Sequence, residues 1–309
     1  MTDILRDKVA IVTGSGRGIG RGVAMFMAEE GAKVVVVDPG VNVDGSGQDQ
    51  SIAEQVVAEI KSAGGQAVAC TESVTSMTGG EKIIQTAIDN FDKLDIVVTC
   101  AGILRDRMIF NMAEEEWDDV IAVHLKGTFT VVRNACILFR QQRSGRIITF
   151  SSESGLFGNS GQANYGAAKS GIAGFTKVVA RDMGRYGVTA NAIAPRAYTR
   201  MIGDIPDSAA EIRERSGVAP LAGEEELNSL DPDAIAPFVC YLASDYSANI
   251  NAQTFLVFGN QVSLVSQPRP LNAIYNPTGH WSMEELAPLA RNVLTKDIPN
   301  PAPAQPPRQ

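Results

Sequence analysis

The sequence predicts an α/β protein, a doubly wound parallel sheet of about seven strands with helices on both faces. Short apolar runs rich in β-branched residues alternate with longer stretches whose apolar residues recur at helical spacing. The strand runs are continuously apolar rather than alternating, the pattern of a sheet covered on both sides. Strand–helix–strand repetition implies right-handed crossovers, which lay successive strands parallel.

The first strand is expected at residues 8–13 (KVAIVT), followed by a helix at 18–30 with Ile19, Val23, Phe26 and Met27 on one face. A second buried strand at 33–37 (KVVVV), a helix at 52–63 and a strand at 66–70 follow. A helix at 81–91 and a strand at 94–99 continue the alternation. One long helix, about 114–142, leads into a strand at 146–150, and another, about 163–185, precedes a strand at 189–193. A helix near 232–244 and a strand at 254–258 complete a domain placed at residues 1–260. Three stretches break the rhythm. Residues 39–50 (PGVNVDGSGQDQ) are too polar and glycine-rich for an element. Residues 196–230 leave the carboxyl edge of the sheet, where open α/β folds bind ligands. They mix Met201, Ile202, Ile205, Ile212, Val218 and Leu221 with Gly203, Gly217 and Gly223, which predicts a substrate lid; a solvated surface excursion is the alternative. Residues 261–298 are expected to be an extension packed on the same domain, with a capping signature at Ser282 and Glu285. The tail 299–309, with five prolines, is expected to be disordered.

Composition narrows the function. The 309 residues carry 27 Lys+Arg against 35 Asp+Glu, a formal charge of −8, which argues against a nucleic-acid partner because phosphate binding needs a basic field. No uninterrupted apolar run reaches the ~18–20 residues of a membrane span, so no membrane partner is expected. Charges at Asp3, Arg6, Asp7 and Lys8 occupy the place where a signal peptide carries its apolar stretch. Cys70, Cys100, Cys136 and Cys240 are scattered without a Cys-x-x-Cys, which suits a reducing, cytoplasmic setting and offers no metal site.

The chemistry concentrates in two places. Gly14, Gly18 and Gly20, spaced Gly-x-x-x-Gly-x-Gly, fall between the first strand and first helix. Glycines there let the backbone turn sharply and approach a pyrophosphate at a helix N-terminus. Asp38 ends the second strand, where a carboxylate can accept both ribose hydroxyls of an adenosine and repel a 2′-phosphate; capping the turn before Pro39 is the plainer alternative. Arg17 pulls toward a 2′-phosphate, but Asp38 is the closer group in this architecture, so NAD is expected over NADP. The second place is Tyr165-Gly-Ala-Ala-Lys169, which sets a phenol and an amine on one helix face. An adjacent ammonium and an oxidised nicotinamide both favour the phenolate, making Tyr165 a general acid/base, and Ser152 could hold a substrate oxygen.

With these residues in place, the chain resembles the short-chain dehydrogenase/reductase family over nearly its whole length. The resemblance implies a single Rossmann-type domain and hydride transfer between a nicotinamide and a carbinol or carbonyl carbon. It assigns Ser152, Tyr165 and Lys169 to catalysis, with Lys169 also on the nicotinamide ribose. The cofactor site it implies comprises Gly14, Ser15, Arg17, Gly18, Ile19, Gly20, Asp38, Ser73, Val74, Ala101, Gly102, Tyr165, Lys169, Pro195 and Thr199. Cys100 replaces a family asparagine, and Pro195-Arg196 replaces the usual Pro-Gly. His124 stands where the family's tetrad has asparagine; it either joins a water to Lys169 or packs as a core histidine bonded to a carbonyl.

Gly102-Ile-Leu-Arg-Asp-Arg107, Val123-His124-Leu125, residues 158–165 and residues 194–201 look like the dehydrogenase unit of peroxisomal multifunctional enzymes and their bacterial relatives. That group oxidises (3R)-hydroxyacyl-CoA thioesters, and some relatives act on steroid alcohols. The implied substrate is therefore a 3-hydroxyacyl thioester or a bulky alicyclic or steroid alcohol and its ketone. A 3-oxoacyl-carrier-protein reductase is the second reading, and a non-catalytic NAD-binding scaffold the remote third. The family pairs helices across a two-fold axis, and Ile137, Leu138, Phe139, Ile172 and Phe175 supply apolar surface beyond one core stripe, so a homodimer or homotetramer is expected.

Overall fold

The computed structural model describes residues 3–197 and 231–302. Most of the expected lid, together with Thr199 and residues 303–309, lies outside the described residues. Strands β1 (Val9–Thr13), β2 (Lys33–Val37), β3 (Gln66–Cys70), β4 (Ile96–Thr99), β5 (Gly145–Phe150), β6 (Val188–Pro195), β7 (Thr254–Phe258) and β8 (Gln261–Leu264) form one sheet. Their order is β3-β2-β1-β4-β5-β6-β7-β8; every pair is parallel except β7–β8. Eight strands stand where about seven were expected. The eighth is an edge strand whose Val262 and Leu264 are exposed, and it moves the domain boundary from 260 to Val265. Residues from Ser266 onward form a separate unit. Its helix α9 (Met283–Leu289) begins with the expected Ser282/Glu285 capping box.

The sheet is apolar because it is covered twice. Ala10, Val12, Val34 and Val36 face a core shared with helices α1 (Gly18–Glu29), α2 (Ser51–Ser62) and α8 (Ala236–Ala243). Val9, Ile11, Val35 and Val37 face a second core with α3 (Met77–Phe91), α5 (Gly127–Gln142) and α7 (Ala163–Met183). The strand period of two thus serves both sides, and each buried Val or Ile contributes roughly 1.5–3 kcal/mol of transfer free energy.

The expected long helix is one helical run, Glu114–Gln142, in three parts. α4 (Glu114–Ile121) passes into a π-helical turn at Ala122–Lys126 and then into α5. By length and mean hydropathy this run could cross a bilayer. Here its apolar side, including Val131, Val132 and Ala135, is buried in the core. Two apolar residues expected outside the core stripe are core residues instead. Phe139 is fully buried beneath β5, where it leaves no room for a Cβ at Gly145, and Ile172 is buried on α7. The exposed large apolar positions on α5 and α7 are Phe129, Ile137 and Val178. Besides β8, the elements without a sequence expectation include α6 (Glu153–Phe157) and 3₁₀ turns at Ile109–Asn111 and Asp245–Ser247.

Strand order reverses direction of growth between β1 and β4, which opens a crevice outside their carboxyl ends.

Candidate active site

A cavity of ≈ 430 Å³ occupies the crevice, lined from one end by Gly14, Arg17, Gly18, Ile19, Gly20 and Asp38. From the other end it is lined by His124, Ser151, Tyr165, Lys169 and Pro195, with Ser73, Val74, Cys100, Ala101 and Gly102 between. The glycines are required by closeness. A Cβ on Gly20 would meet the Gly14 carbonyl oxygen at 2.2 Å, and one on Gly14 would meet Ala101 Cα at 2.6 Å. Gly14 and Gly18 also have positive φ, +67° and +52°. Helix α1 starts at this loop with no side-chain cap on its N-terminal N–H groups, leaving its positive end to an anion. These features fit a dinucleotide pyrophosphate.

Asp38 is half-buried on the cavity wall. Its Oδ2 accepts from Gly16 N (2.9 Å) and its Oδ1 from Gly40 N (2.7 Å), so the carboxylate is oriented by backbone on both sides. Arg17 Nη1 donates to the Val41 carbonyl at 3.3 Å. Ser15 does not line the cavity. It is fully buried, donates to Val12 O at 2.6 Å and accepts from Val37 N at 3.0 Å, stapling the loop to β1 and β2. Its hydroxyl is therefore structural rather than a cofactor contact. Residues 39–50 prove more than a polar excursion: Val41, Val43 and Gly45 line the cavity, and Leu104 N donates to Val43 O at 2.9 Å.

Tyr165 and Lys169 lie one turn apart on α7, with the Lys169 Nζ 5.5 Å from the phenol ring centre. Lys169 is buried and donates to Phe150 O at 2.7 Å. Burial lowers its pKa to about 8, opposed by the neighbouring Cys100. Burial pushes Tyr165 up to about 12; a hydrogen bond with Ser152 lowers it, and the Asp106 charge raises it further. The expected depression of the phenol pKa is thus absent from the free protein, because desolvation of the phenolate outweighs the Ser152 hydrogen bond that lowers it. Ser152 is the N-cap of α6, with its hydroxyl accepting from Ser154 N at 3.2 Å.

His124 sits on the π turn, buried, its ring edge-on to Tyr165 with centroids 5.1 Å apart. Its Nε2 is 2.8 Å from Ile103 O, the carbonyl bond of a packed histidine. Its Nδ1 is buried with no hydrogen-bond partner among the described residues. Burial, then the Lys169 charge, lowers its pKa to about 3, so the imidazole is neutral. If Nδ1 serves the proton path near Lys169, His124→Asn keeps substantial turnover, whereas His124→Leu loses about tenfold more, the value of one buried hydrogen bond. Equal turnover in the two variants assigns His124 to packing.

Sequence reasoning missed the residues that hold these groups in place. Asn164 is fully buried; it donates to Arg105 O (3.0 Å) and Glu116 O (2.9 Å) and accepts from Tyr165 N (2.7 Å). Gln162 is buried beside it. Their position immediately before Tyr165 was the available signal. Arg196, which stands in place of a glycine, forms an ion pair with Glu153.

The sequence profile described as short chain dehydrogenase matches residues 8–207. A hydroxyacyl-CoA dehydrogenase of Mycobacterium tuberculosis is 40% identical over 299 residues, covering 94% of this chain and 90% of the relative. The peroxisomal multifunctional enzyme type 2 of Mus musculus is 40% identical over 267 residues, 86% of this chain but 34% of that enzyme. Among solved structures, a short chain dehydrogenase from Mycobacterium avium superposes with a TM-score of 0.80 at 40% identity, covering 96% of this chain and 97% of the other.

Proposed function

The chain belongs to the short-chain dehydrogenase family, and we propose that within it the protein oxidises the 3-hydroxyl of a (3R)-hydroxyacyl-CoA thioester with NAD. As a member of that family it is an oxidoreductase that uses a nicotinamide dinucleotide. The observation that carries the finer reading is one cavity with Asp38 at one end and Tyr165 with Lys169 at the other. An adenosine ribose at Asp38 and a nicotinamide at Tyr165 match the two ends of one dinucleotide. The relative described as a hydroxyacyl-CoA dehydrogenase supports the thioester substrate.

The site residues divide the chemistry among them. Gly14, Gly18 and the start of α1 would hold the pyrophosphate, and Asp38 the adenosine ribose. The bound cofactor supplies a hydride acceptor and, when oxidised, a positive charge beside the phenol. Ser152 holds the substrate oxygen by hydrogen bonding, and Tyr165 takes the hydroxyl proton as the carbinol carbon is oxidised. Lys169, anchored on Phe150 O, keeps a cation beside the phenol ring and would bind the nicotinamide ribose. Because burial holds Tyr165 protonated in the free protein, its activation as a base depends on charge brought into the cavity.

The orientation of Asp38 supports NAD over NADP, since a fixed carboxylate repels a 2′-phosphate. It also disfavours the carrier-protein reductase reading, which pairs with NADPH. Outward-facing Phe129, Ile137 and Val178 on α5 and α7 support a homodimer or homotetramer. Free Cys70, Cys100, Cys136 and Cys240 support a reducing, cytoplasmic setting.

The test is a substrate panel. The purified protein is given NAD with (3R)- and (3S)-hydroxyacyl-CoA and with steroid alcohols, and separately NADPH with a 3-oxoacyl carrier protein. The highest kcat/KM is expected for the (3R)-thioester. A higher value for the carrier-protein ketone with NADPH replaces this assignment with the reductase.

A further inference from the structure

The hydroxyls of Ser152 and Tyr165 reach the site from different parts of the chain, one after β5 and one on α7, and one buried side chain spans the gap. Gln162 precedes α7, three residues ahead of Tyr165, and is buried. Its Nε2 donates to Asp106 Oδ2 at 2.8 Å. Its Oε1 accepts from Ser154 Oγ at 2.7 Å and from Asn159 Nδ2 at 3.0 Å. The chemistry of the partners fixes which way the amide points: an ionised carboxylate can only accept, so the nitrogen faces Asp106 and the oxygen faces the two donors.

Each partner is itself tied to the reacting groups. Ser154 N donates to Ser152 Oγ at 3.2 Å, and the Ser152 hydroxyl is near enough to the phenol to pull its pKa down. On the other side, Arg107 N donates to Gly161 O at 2.8 Å, and Arg107 and Gln162 form an isolated parallel bridge. A hydrogen-bonded path therefore runs from Asp106 through Gln162 and Ser154 to Ser152, whose hydroxyl neighbours the Tyr165 phenol. That phenol lies on the helix that Gln162 itself begins, so the path closes on itself. A closed path of this kind fixes the distance between its members in a way that a single contact to one of them does not.

We propose that Gln162 is a positioning residue for the reaction, oriented by Asp106, that sets the Ser152 hydroxyl and the Tyr165 phenol at the separation where both reach one substrate oxygen. The proposal rests on the reading above that these two groups handle that oxygen. Gln162 touches neither substrate nor cofactor in this role; it acts through Ser154 and the start of α7.

Four variants and one structure test it. Gln162→Leu removes all three side-chain bonds at similar volume. Gln162→Glu keeps the acceptor for Ser154 and Asn159 but sets a second carboxylate against Asp106. Asp106→Asn removes the carboxylate, and the double variant D106N/Q162E restores the bond with donor and acceptor exchanged. With (3R)-hydroxyacyl-CoA and NAD, Gln162→Leu and Gln162→Glu are expected to lose about 10²-fold in kcat, the cost of a displacement of about 1 Å. The dissociation constant for NAD stays at its native value, and the double variant recovers most of the kcat lost by Gln162→Glu. A merely structural glutamine would give lower melting temperatures without that recovery. The crystal structure of Gln162→Leu should show the Ser152 hydroxyl displaced from the phenol. Native kcat in Gln162→Leu, or an unchanged separation of the Ser152 and Tyr165 hydroxyls in its structure, overturns the proposal. A native enzyme that oxidises no alcohol refutes the proposed function instead, and the crystal structure still decides the role of Gln162.

Discussion

Replacing Tyr165 by phenylalanine is expected to lower kcat for alcohol oxidation by about 10²–10⁴-fold, the range a positioned general base supplies. The substitution removes one oxygen and leaves the ring, so its edge contact with His124 and the Lys169 cation above it persist. Affinity for NAD should stay near native, because the glycine loop and Asp38 lie at the other end of the cavity. The native pH profile carries the same signature. Burial holds the phenol protonated in the free protein, so the oxidation rate should rise with pH as the phenol of the loaded enzyme ionises, whereas Tyr165→Phe should lack that rise. The measurement is steady-state kcat across pH for both proteins, with NAD affinity followed by fluorescence. A Phe variant retaining more than a tenth of native kcat removes Tyr165 from its role.

Asp38→Ala is expected to abolish most of the preference for NAD. Two like charges ~4 Å apart at an effective dielectric of ~20 repel by about 4 kcal/mol. Asp38 is half-buried and partly screened by solvent, so roughly half of that survives, about 30-fold in kcat/KM between the two cofactors. The carboxylate is well placed for this because Gly16 N and Gly40 N hold both of its oxygens. Removing it also frees Arg17 to meet a 2′-phosphate without a competing anion. The check is kcat/KM for NAD and NADP in native and variant enzyme. Equal values for the two cofactors in the native enzyme contradict the assignment of Asp38.

The sheet was legible because its strands are short, continuously apolar runs such as KVVVV, and the glycine loop was legible because close backbone approach leaves no alternative to glycine. β8 was not, since Gln261-Val-Ser-Leu264 is a half-polar edge strand with only β7 as its partner. The Gly259-Asn260 pair between the two strands was the available hairpin signal. The π turn at residues 122–126 leaves no trace in apolar spacing, yet it carries His124 into the cavity. Tyr165, Lys169 and Asp38 were singled out by residue type and spacing, and the structure sets all three on one cavity. The role of the Ser15 hydroxyl was not legible, because spacing does not report where a hydroxyl points: it donates to Val12 O three residues back and accepts from Val37 N on β2. Gln162, Asn164 and Asp106 were passed over for a related reason: the Gln162–Asp106 bond spans 56 residues and the Asn164 bonds to Arg105 O and Glu116 O span 59 and 48, so only the place of Gln162 and Asn164 beside Tyr165 marked them.

The central claim is that hydride passes from the carbinol carbon of the substrate to the nicotinamide while Tyr165 takes the hydroxyl proton. It is tested most directly with (3R)-hydroxyacyl-CoA deuterated at the carbinol carbon, by mass analysis of the reduced cofactor. The reduced NAD is expected to carry the deuterium, and its formation is expected to collapse in Tyr165→Phe. Deuterium released to water, or reduced NAD formed without it, contradicts the account.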